Sequence, residues 1–336
     1  MAYTSLVKKI NEQSIIGCMR DGNVHTKQEI ARLTKLSFPT VGKIVEELVA
    51  RKMLVRIGIQ EESFGGRKAD IYKIHEDFVH MLLLYLQGQS ISYWICDALG
   101  TVKSSHVKEG EKGQSPFSLI QECVTDMVAA DDRIGAIAVG LPGSIYGGKV
   151  CRMDGYTDMN GRDVESALAE IAKIPVSVSN NMNLVAMGIA AGKTRLAGGA
   201  FPQETTVCIH LADTGPGLGA VVNGKPLYGF SGFQGEVGFM PLCGEKNIQD
   251  VAMGGFREAP AGECLGKMIA CVCTVLNPSQ VICYLEWEQE GLAEEVSHCC
   301  RKYLPAYAQP QFIFDRDYKR DYLHGLVTAG EQLLFQ

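Results

Sequence analysis

Asn180, Asn181 and Glu236 are of residue types that suit a polyhydroxylated ligand. Carboxylates accept, and amides both donate and accept, the paired hydrogen bonds that vicinal hydroxyls offer. Asn180 ends a strand-like run, VSVSN, and Glu236 sits in a glycine-flanked turn, GFQGEVG, placed to face the same space. Gly143 closes a further turn, GLPG. Phe239 would add an apolar ring face that packs by area burial. A plainer alternative stays open, in which Asn180 caps the helix over 182–191 and Glu236 is a solvated loop residue. A second set of residues suits a polyanion. Gly65-Gly66 precede Arg67-Lys68 at what reads as a hairpin tip, where glycine lets the backbone approach DNA and cations reach phosphates or a narrow minor groove. Lys27, Ser37, Thr40 and Lys43, in the helical stretch before that tip, join them. No metal site and no cofactor are expected. The 12 cysteines include no C-x-x-C; Cys271 and Cys273 flank one residue, Cys299 and Cys300 are adjacent, and neither spacing makes a zinc knuckle. About nine in ten of them are expected to be buried small hydrophobes.

The elements that hold these residues can be read from caps and periodicity. Thr26 and Glu29 form a capping-box pattern that starts a helix, with Ile30, Ala31 and Leu33 on its inner side. Ser37 can cap the next helix, with Pro39 tolerated in its first turn. Val41, Ile44, Val45 and Leu48 make one apolar stripe, and Thr40, Lys43 and Glu47 point the other way. Two short helices and a tight turn, followed by β-rich stretches over 53–58 and 69–74, make a winged helix-turn-helix; an ordinary helical hairpin is the alternative for the helices alone. Charge favours the first. The net charge is −6, yet residues 1–75 hold 13 Lys/Arg against 8 Asp/Glu, a balance of +5, while the rest hold 19 against 30, a balance of −11. A basic head on an acidic body suggests that the head alone meets a polyanion, and with the winged helix-turn-helix the expected partner is double-stranded DNA. No run approaches the roughly 18 apolar residues of a membrane span, and the N-terminal residues lack an apolar signal region, so a cytoplasmic location is expected.

Residues 78–336 alternate strand-like and helix-like segments, with glycine-rich turns at strand ends, where ligand sites of α/β sheets form. The runs IGAIAVGLPG, PVSVSNNMNLVAMGIAAG, GPGLGAVVNGKPLYGFSGFQGEVGFMPL, NPSQVI and LHGLVTAGEQLL follow one another in the order of the ROK family of repressors, open reading frames and sugar kinases. The body resembles that family over nearly its whole length, and GGRK resembles its transcriptional-regulator branch. The resemblance implies an α/β fold in which a winged helix-turn-helix over 1–75 precedes a two-lobed actin/hexokinase-like body. The first lobe spans 76–192 and receives the C-terminal helix near 320–336. The second spans 193–319, with an effector cleft between the lobes.

A kinase of this family needs a DxGGT phosphate loop, and the matching hairpin here turns through Gln87-Gly88-Gln89. It needs a catalytic Asp after Asn, and Asn181 stands there; an amide cannot take the proton of the attacking hydroxyl. It needs a zinc-ligating His and a cysteine cluster, and Phe239 and a lone Cys243 stand there. Its glycine-rich adenosine turn is replaced by CYLEWEQEG, although DTGPGLG (213–219), the second phosphate turn, survives. The segment from Pro241 to Met253 is expected to be a mobile loop held by packing alone. Asn180, Glu236 and Gly143 match sugar contacts of the family, while Asn181 and Phe239 replace two others. The expected protein is a ROK transcriptional regulator, a repressor in the first reading, without kinase activity. It binds operator DNA as a homodimer or tetramer and responds to a sugar or sugar derivative. The alternatives are a sugar kinase with a DNA-binding appendage and a constitutive DNA-binding protein with a vestigial pocket.

Overall fold

The computed structural model describes residues 2–60, 69–196, 204–212, 215–242, 244, 246–253, 261–285, 291–315 and 317–335. The N-terminal part packs helices α1 (Ala2–Met19), α2 (Lys27–Thr34) and α3 (Phe38–Ala50) on a small sheet. That sheet holds β1 (His25–Thr26), β2 (Leu54–Gln60) and β3 (Ala69–Ile74) in the order β1-β3-β2. The capping box forms as read from the sequence: the Glu29 N–H donates to Thr26 Oγ1 at 3.2 Å and the Thr26 N–H donates to Glu29 Oε2 at 2.7 Å. Ser37 caps α3, Pro39 lies in its first turn, and Val41, Ile44, Val45 and Leu48 are buried with Ile15, Met19, Ile30 and Tyr72. Leu33, expected inside, is 49% exposed. Lys35 takes a left-handed conformation at φ 58° and swings the chain toward α3, so the last turn of α2 stands clear of the core. β2 and β3 pair antiparallel, and the tip joining them, with Arg67 and Lys68, lies outside the described residues.

The rest of the chain begins with β4 (His80–Gln87), β5 (Ser90–Cys96), β6 (Val102–Glu109), α4 (Pro116–Ala130), β7 (Ile134–Leu141), β8 (Ser144–Tyr146) and β9 (Lys149–Arg152). It continues through α5 (Val164–Ala172), β10 (Val176–Asn180) and α6 (Asn181–Leu196) to β11 (Thr205–Ala212), β12 (Gly215–Val222) and β13 (Lys225–Pro226). It ends with α7 (Ile248–Met253), α8 (Ala261–Leu276), β14 (Gln280–Leu285), α9 (Leu292–Tyr303), β15 (Gln311–Asp315) and α10 (Tyr318–Phe335). One sheet runs β10-β7-β4-β5-β6 and the other β13-β12-β11-β14-β15. Both follow one plan: three antiparallel strands in sequence, then two strands parallel to the first of them. β4 is buried on both faces, Leu82, Leu84 and Leu86 on one side and Met81, Leu83 and Tyr85 on the other, which is why it reads as an unbroken apolar run.

Helices α6 and α10 pack together between the sheets, in one core with Ala136 and Ala138 of the first sheet and Cys208, Val221 and Tyr284 of the second. Their backbones approach at two glycines. A methyl group on Gly188 would overlap the Asp321 carbonyl oxygen, and one on Gly325 the Leu184 carbonyl oxygen.

DTGPGLG lies at the junction of β11 and β12: Gly215–Gly219 belong to β12, paired with β11 as far as Ala212 opposite Gly215, Gly215 has φ 116°, and 213–214 lie outside the described residues. A Cβ on Gly217 would meet Met182 Cγ at 3.0 Å, and one on Gly219 would overlap the Met182 carbonyl. These glycines admit α6. The expected loop over Pro241–Met253 contains α7, whose Ile248 is fully buried. Eight of the eleven described cysteines are buried, whereas Cys151 and Cys271 are exposed, so the burial is less complete than expected.

The head is anchored to α10. Gln13 Nε2 donates to the Phe335 carbonyl at 3.2 Å, and the Arg20 guanidinium lies 5.4 Å from the Phe335 ring centroid and pairs with the Glu331 carboxylate. Among the described residues no helix is long and apolar enough to cross a membrane.

Candidate functional site

Gly143, Asn180, Asn181, Glu236 and Phe239 line one cleft of about 310 Å³. β7 delivers Gly143, the junction of β10 and α6 delivers the asparagine pair, and the segment after β13 delivers Glu236 and Phe239. Gly143 has φ 83°, and a Cβ there would collide with the Arg152 carbonyl. Its own carbonyl accepts Asn180 Nδ2 at 2.6 Å. Asn180 Oδ1 accepts the N–H groups of Met182 and Asn183 at 2.8 and 3.1 Å, in the manner of an N-cap. The plainer alternative for Asn180 therefore has geometry behind it: one amide N–H is left over for a ligand. Asn181 Oδ1 accepts the Met182 N–H at 2.8 Å.

Glu236 is half-buried, and burial pushes its carboxyl above the ordinary value; Arg152 opposes this and Asp154 adds to it. Arg152 grips Asp154 with two bonds, Nε to Oδ1 at 2.9 Å and Nη2 to Oδ2 at 3.0 Å. The same guanidinium lies 4.6 Å from the Phe239 ring centroid. One face of Phe239 is thus covered by a cation, which changes the expected bare apolar platform. Arg152 and Asp154 were not legible as site residues: nothing in CRMDG marks the β9 end as a cleft wall.

The cleft floor is aromatic. Tyr85 of β4 and His210 of β11 line it, and they meet Tyr318 and Tyr322 of α10. His210 stacks on Tyr318 at 4.1 Å with 15° between planes, and Tyr85 lies 4.4 Å from Tyr322. Gly140 makes room, since a Cβ there would overlap the Tyr322 hydroxyl. Gln87 and Gly88 stand at the rim, where the phosphate loop would be.

No three His, Cys, Asp or Glu side chains gather to hold a metal ion among the described residues. Phe239 presents no donor, and Cys243 lies outside those residues. The residues present do not fit the family's zinc.

In the head, Ser37 Oγ lies 2.8 Å from Thr40 Oγ1 and accepts the Thr40 N–H at 3.4 Å. Ser37 and Lys43 are exposed and Thr40 is half-buried. Lys27 is turned inward, paired with Glu46 and 5.3 Å from the Tyr72 ring centroid, so its charge is already compensated. Lys8 pairs with Glu47 at 2.7 Å and Arg51 with Glu12 at 2.5 Å. Arg32 and Lys35, at the exit of α2, are exposed, as is Lys43 within α3; the run ARLTKLS carries the first two cations.

Residues 88–276, more than half of the chain, match the model of the ROK family. The chain is 22% identical over 248 residues to the xylose repressor of Bacillus subtilis, covering 72% of this chain and 63% of that protein. It is 24% identical over 319 residues to the xylose repressor of Caldicellulosiruptor bescii, covering 90% of this chain and 77% of that one. A solved structure described as a ROK family transcriptional regulator, a homologue of the E. coli MLC protein, superposes with a TM-score of 0.75 at 18% identity, over 98% of this chain and 97% of the other. The ROK hexokinase of Thermus thermophilus superposes with a TM-score of 0.59 at 19% identity, over 76% of this chain and 99% of the other.

Proposed function

Because the chain belongs to the ROK family, we propose that it is a transcriptional repressor whose N-terminal head binds operator DNA and whose cleft responds to a carbohydrate. The proposed units are a winged helix-turn-helix over 1–75, a lobe over 76–192 completed by the C-terminal helix, and a lobe over 193–319. The carrying observation is the head itself. A capped helix pair with exposed Arg32, Lys35, Ser37 and Lys43 stands on a body whose cleft gathers Asn181, Glu236 and Phe239. The names of the xylose repressors support the same reading, with a pentose or related sugar as effector. A two-fold pair of such heads implies a palindromic operator.

The rival, a sugar kinase with a DNA-binding appendage, draws on the hexokinase superposition. Asn181 argues against it, since an amide cannot serve as the base, and so does the aromatic floor of Tyr85, His210 and Tyr318 beside a turn without the phosphate-binding glycines. Helix α10 links the two functions. Tyr322 at the floor and Glu331 at the head are nine residues apart, roughly 13.5 Å along one helix. Lobe closure on a ligand would tilt that helix and move the head with it.

Two measurements test the reading. Selection from a randomised duplex pool should return a palindrome. Lys43→Ala should then lose about 1–3 kcal/mol of preference for it over random DNA, as for one lost base contact. Equal binding of both DNAs by the native protein would sink the operator reading. Calorimetric titration with D-xylose, D-glucose and their N-acetylated or deoxy relatives should find a ligand, and Glu236→Ala should weaken it by about 1–3 kcal/mol without unfolding the protein. No sugar binding to native protein would leave the pocket vestigial.

A further inference from the structure

A second chamber adjoins the cleft. It measures about 360 Å³ and is walled by the β8–β9 hairpin, the end of β10, the first turn of α6 and the segment that follows β13. Asn180 and Gln234 line both spaces. Each space alone sits near the lower end of the roughly 300–1,000 Å³ found for small-molecule sites.

The lining is that of a site. Gln234 Oε1 is buried and has no hydrogen-bond partner, and leaving such an acceptor unmet is unfavourable unless a ligand or water satisfies it. Asn183, only 9% exposed, gives its backbone N–H to Asn180 Oδ1 and presents its side-chain amide to the chamber. Ser177 and Ser179, two residues apart on β10, put two hydroxyls on the same wall. Tyr146 and Tyr228 flank the mouth at 54% and 56% exposure. The walls are fixed across the lobes. Ser144 Oγ donates to the Gly232 carbonyl at 2.7 Å, and a Cβ on Gly232 would collide with the Ile145 carbonyl. Neutral hydroxyls and amides between two exposed phenol rings, with Glu165 already accepting the Val178 N–H, match a neutral ring bearing several hydroxyls and apolar C–H faces.

We propose that this chamber holds the second ring of the effector, which is therefore a disaccharide or similar glycoside, bridged past Asn180 and Gln234. This rests on the reading of the cleft as a carbohydrate site. The test is calorimetric titration of the full chain with D-xylose against xylobiose and D-glucose against cellobiose and maltose. It is repeated on Ser179→Tyr, which fills the chamber and leaves the cleft lining intact. At least one disaccharide should bind about tenfold or more tightly than its monosaccharide, and Ser179→Tyr should abolish that gain while monosaccharide binding stays unchanged. Ser177→Tyr serves if Ser179→Tyr fails to melt cooperatively. Disaccharides binding no better than monosaccharides to native protein would overturn the chamber and leave the cleft standing. No binding of either size would overturn both.

Discussion

Arg20→Ala should destabilise the docked head by about 2–3 kcal/mol, less than for a fully buried ion pair because the Arg20 side chain is 32% exposed while Glu331 is buried. Glu331 on α10 is 4% exposed, and Arg20 from the end of α1 reaches it. Without the guanidinium the carboxylate stays in the core uncompensated, beside the Phe335 ring that Arg20 also covers. The effect is therefore desolvation without its compensation, far larger than the loss of a surface pair such as Lys8 with Glu47. Two comparisons isolate the cause. Glu331→Gln removes the charge but keeps the shape and should cost less. Arg20→Met with Glu331→Leu removes both charges and should recover most of the stability. Urea denaturation followed by far-ultraviolet circular dichroism reads the midpoints, with the slope as a check that the exposed surface is unchanged. A shift of Arg20→Ala no larger than that of Lys8→Ala would show that the head is held by the apolar contacts of Phe78, Ala98 and Leu99 alone.

Local rules made the head legible. Thr26 with Glu29 and Ser37 with Thr40 are caps whose partners lie three residues apart, so sequence spacing and spatial contact coincide. The stripe Val41, Ile44, Val45 and Leu48 is local in the same sense. Leu33 failed because its surroundings depend on how α2 leaves for α3, which periodicity does not encode. In the body, strands buried on both faces could be recognised by composition, but β6, with most side chains exposed, and the short β8 and β9 had no such mark. The cleft residues were found through family motifs, and their placement in one cavity follows. Their chemistry did not follow. Asn180 turned out to be occupied by Gly143 and the start of α6, and Phe239 is covered by Arg152, a residue 87 positions earlier in the chain. Such partners come from tertiary contact between segments that no local pattern connects. The glycines of GPGLG show the converse. Their presence was legible, but that Gly217 and Gly219 leave room for α6 depends on Met182, which sits on another element.

Gly325→Ala should cost about 3 kcal/mol, at the upper end of overpacking substitutions, although alanine is the better helix former. At this position α10 lies so close to α6 that the new methyl would overlap the Leu184 carbonyl oxygen. Overpacking is often mild because a neighbouring side chain rotates away. Here the obstacle is backbone, so one helix must shift, and the shift carries Tyr318, Tyr322 and Glu331 with it. Gly192→Ala is the matched control. It lies on α6, and nothing comes within 4 Å of its added Cβ, so only helix propensity acts and the chain should gain up to about 1 kcal/mol. The two substitutions are chemically identical and differ only in what the methyl meets, so their difference measures the closeness of the crossing. Thermal melting of the two variants beside the native protein should move in opposite directions. Equal shifts would mean that α10 and α6 can separate freely, and α10 could then not carry a change at the cleft floor to the head.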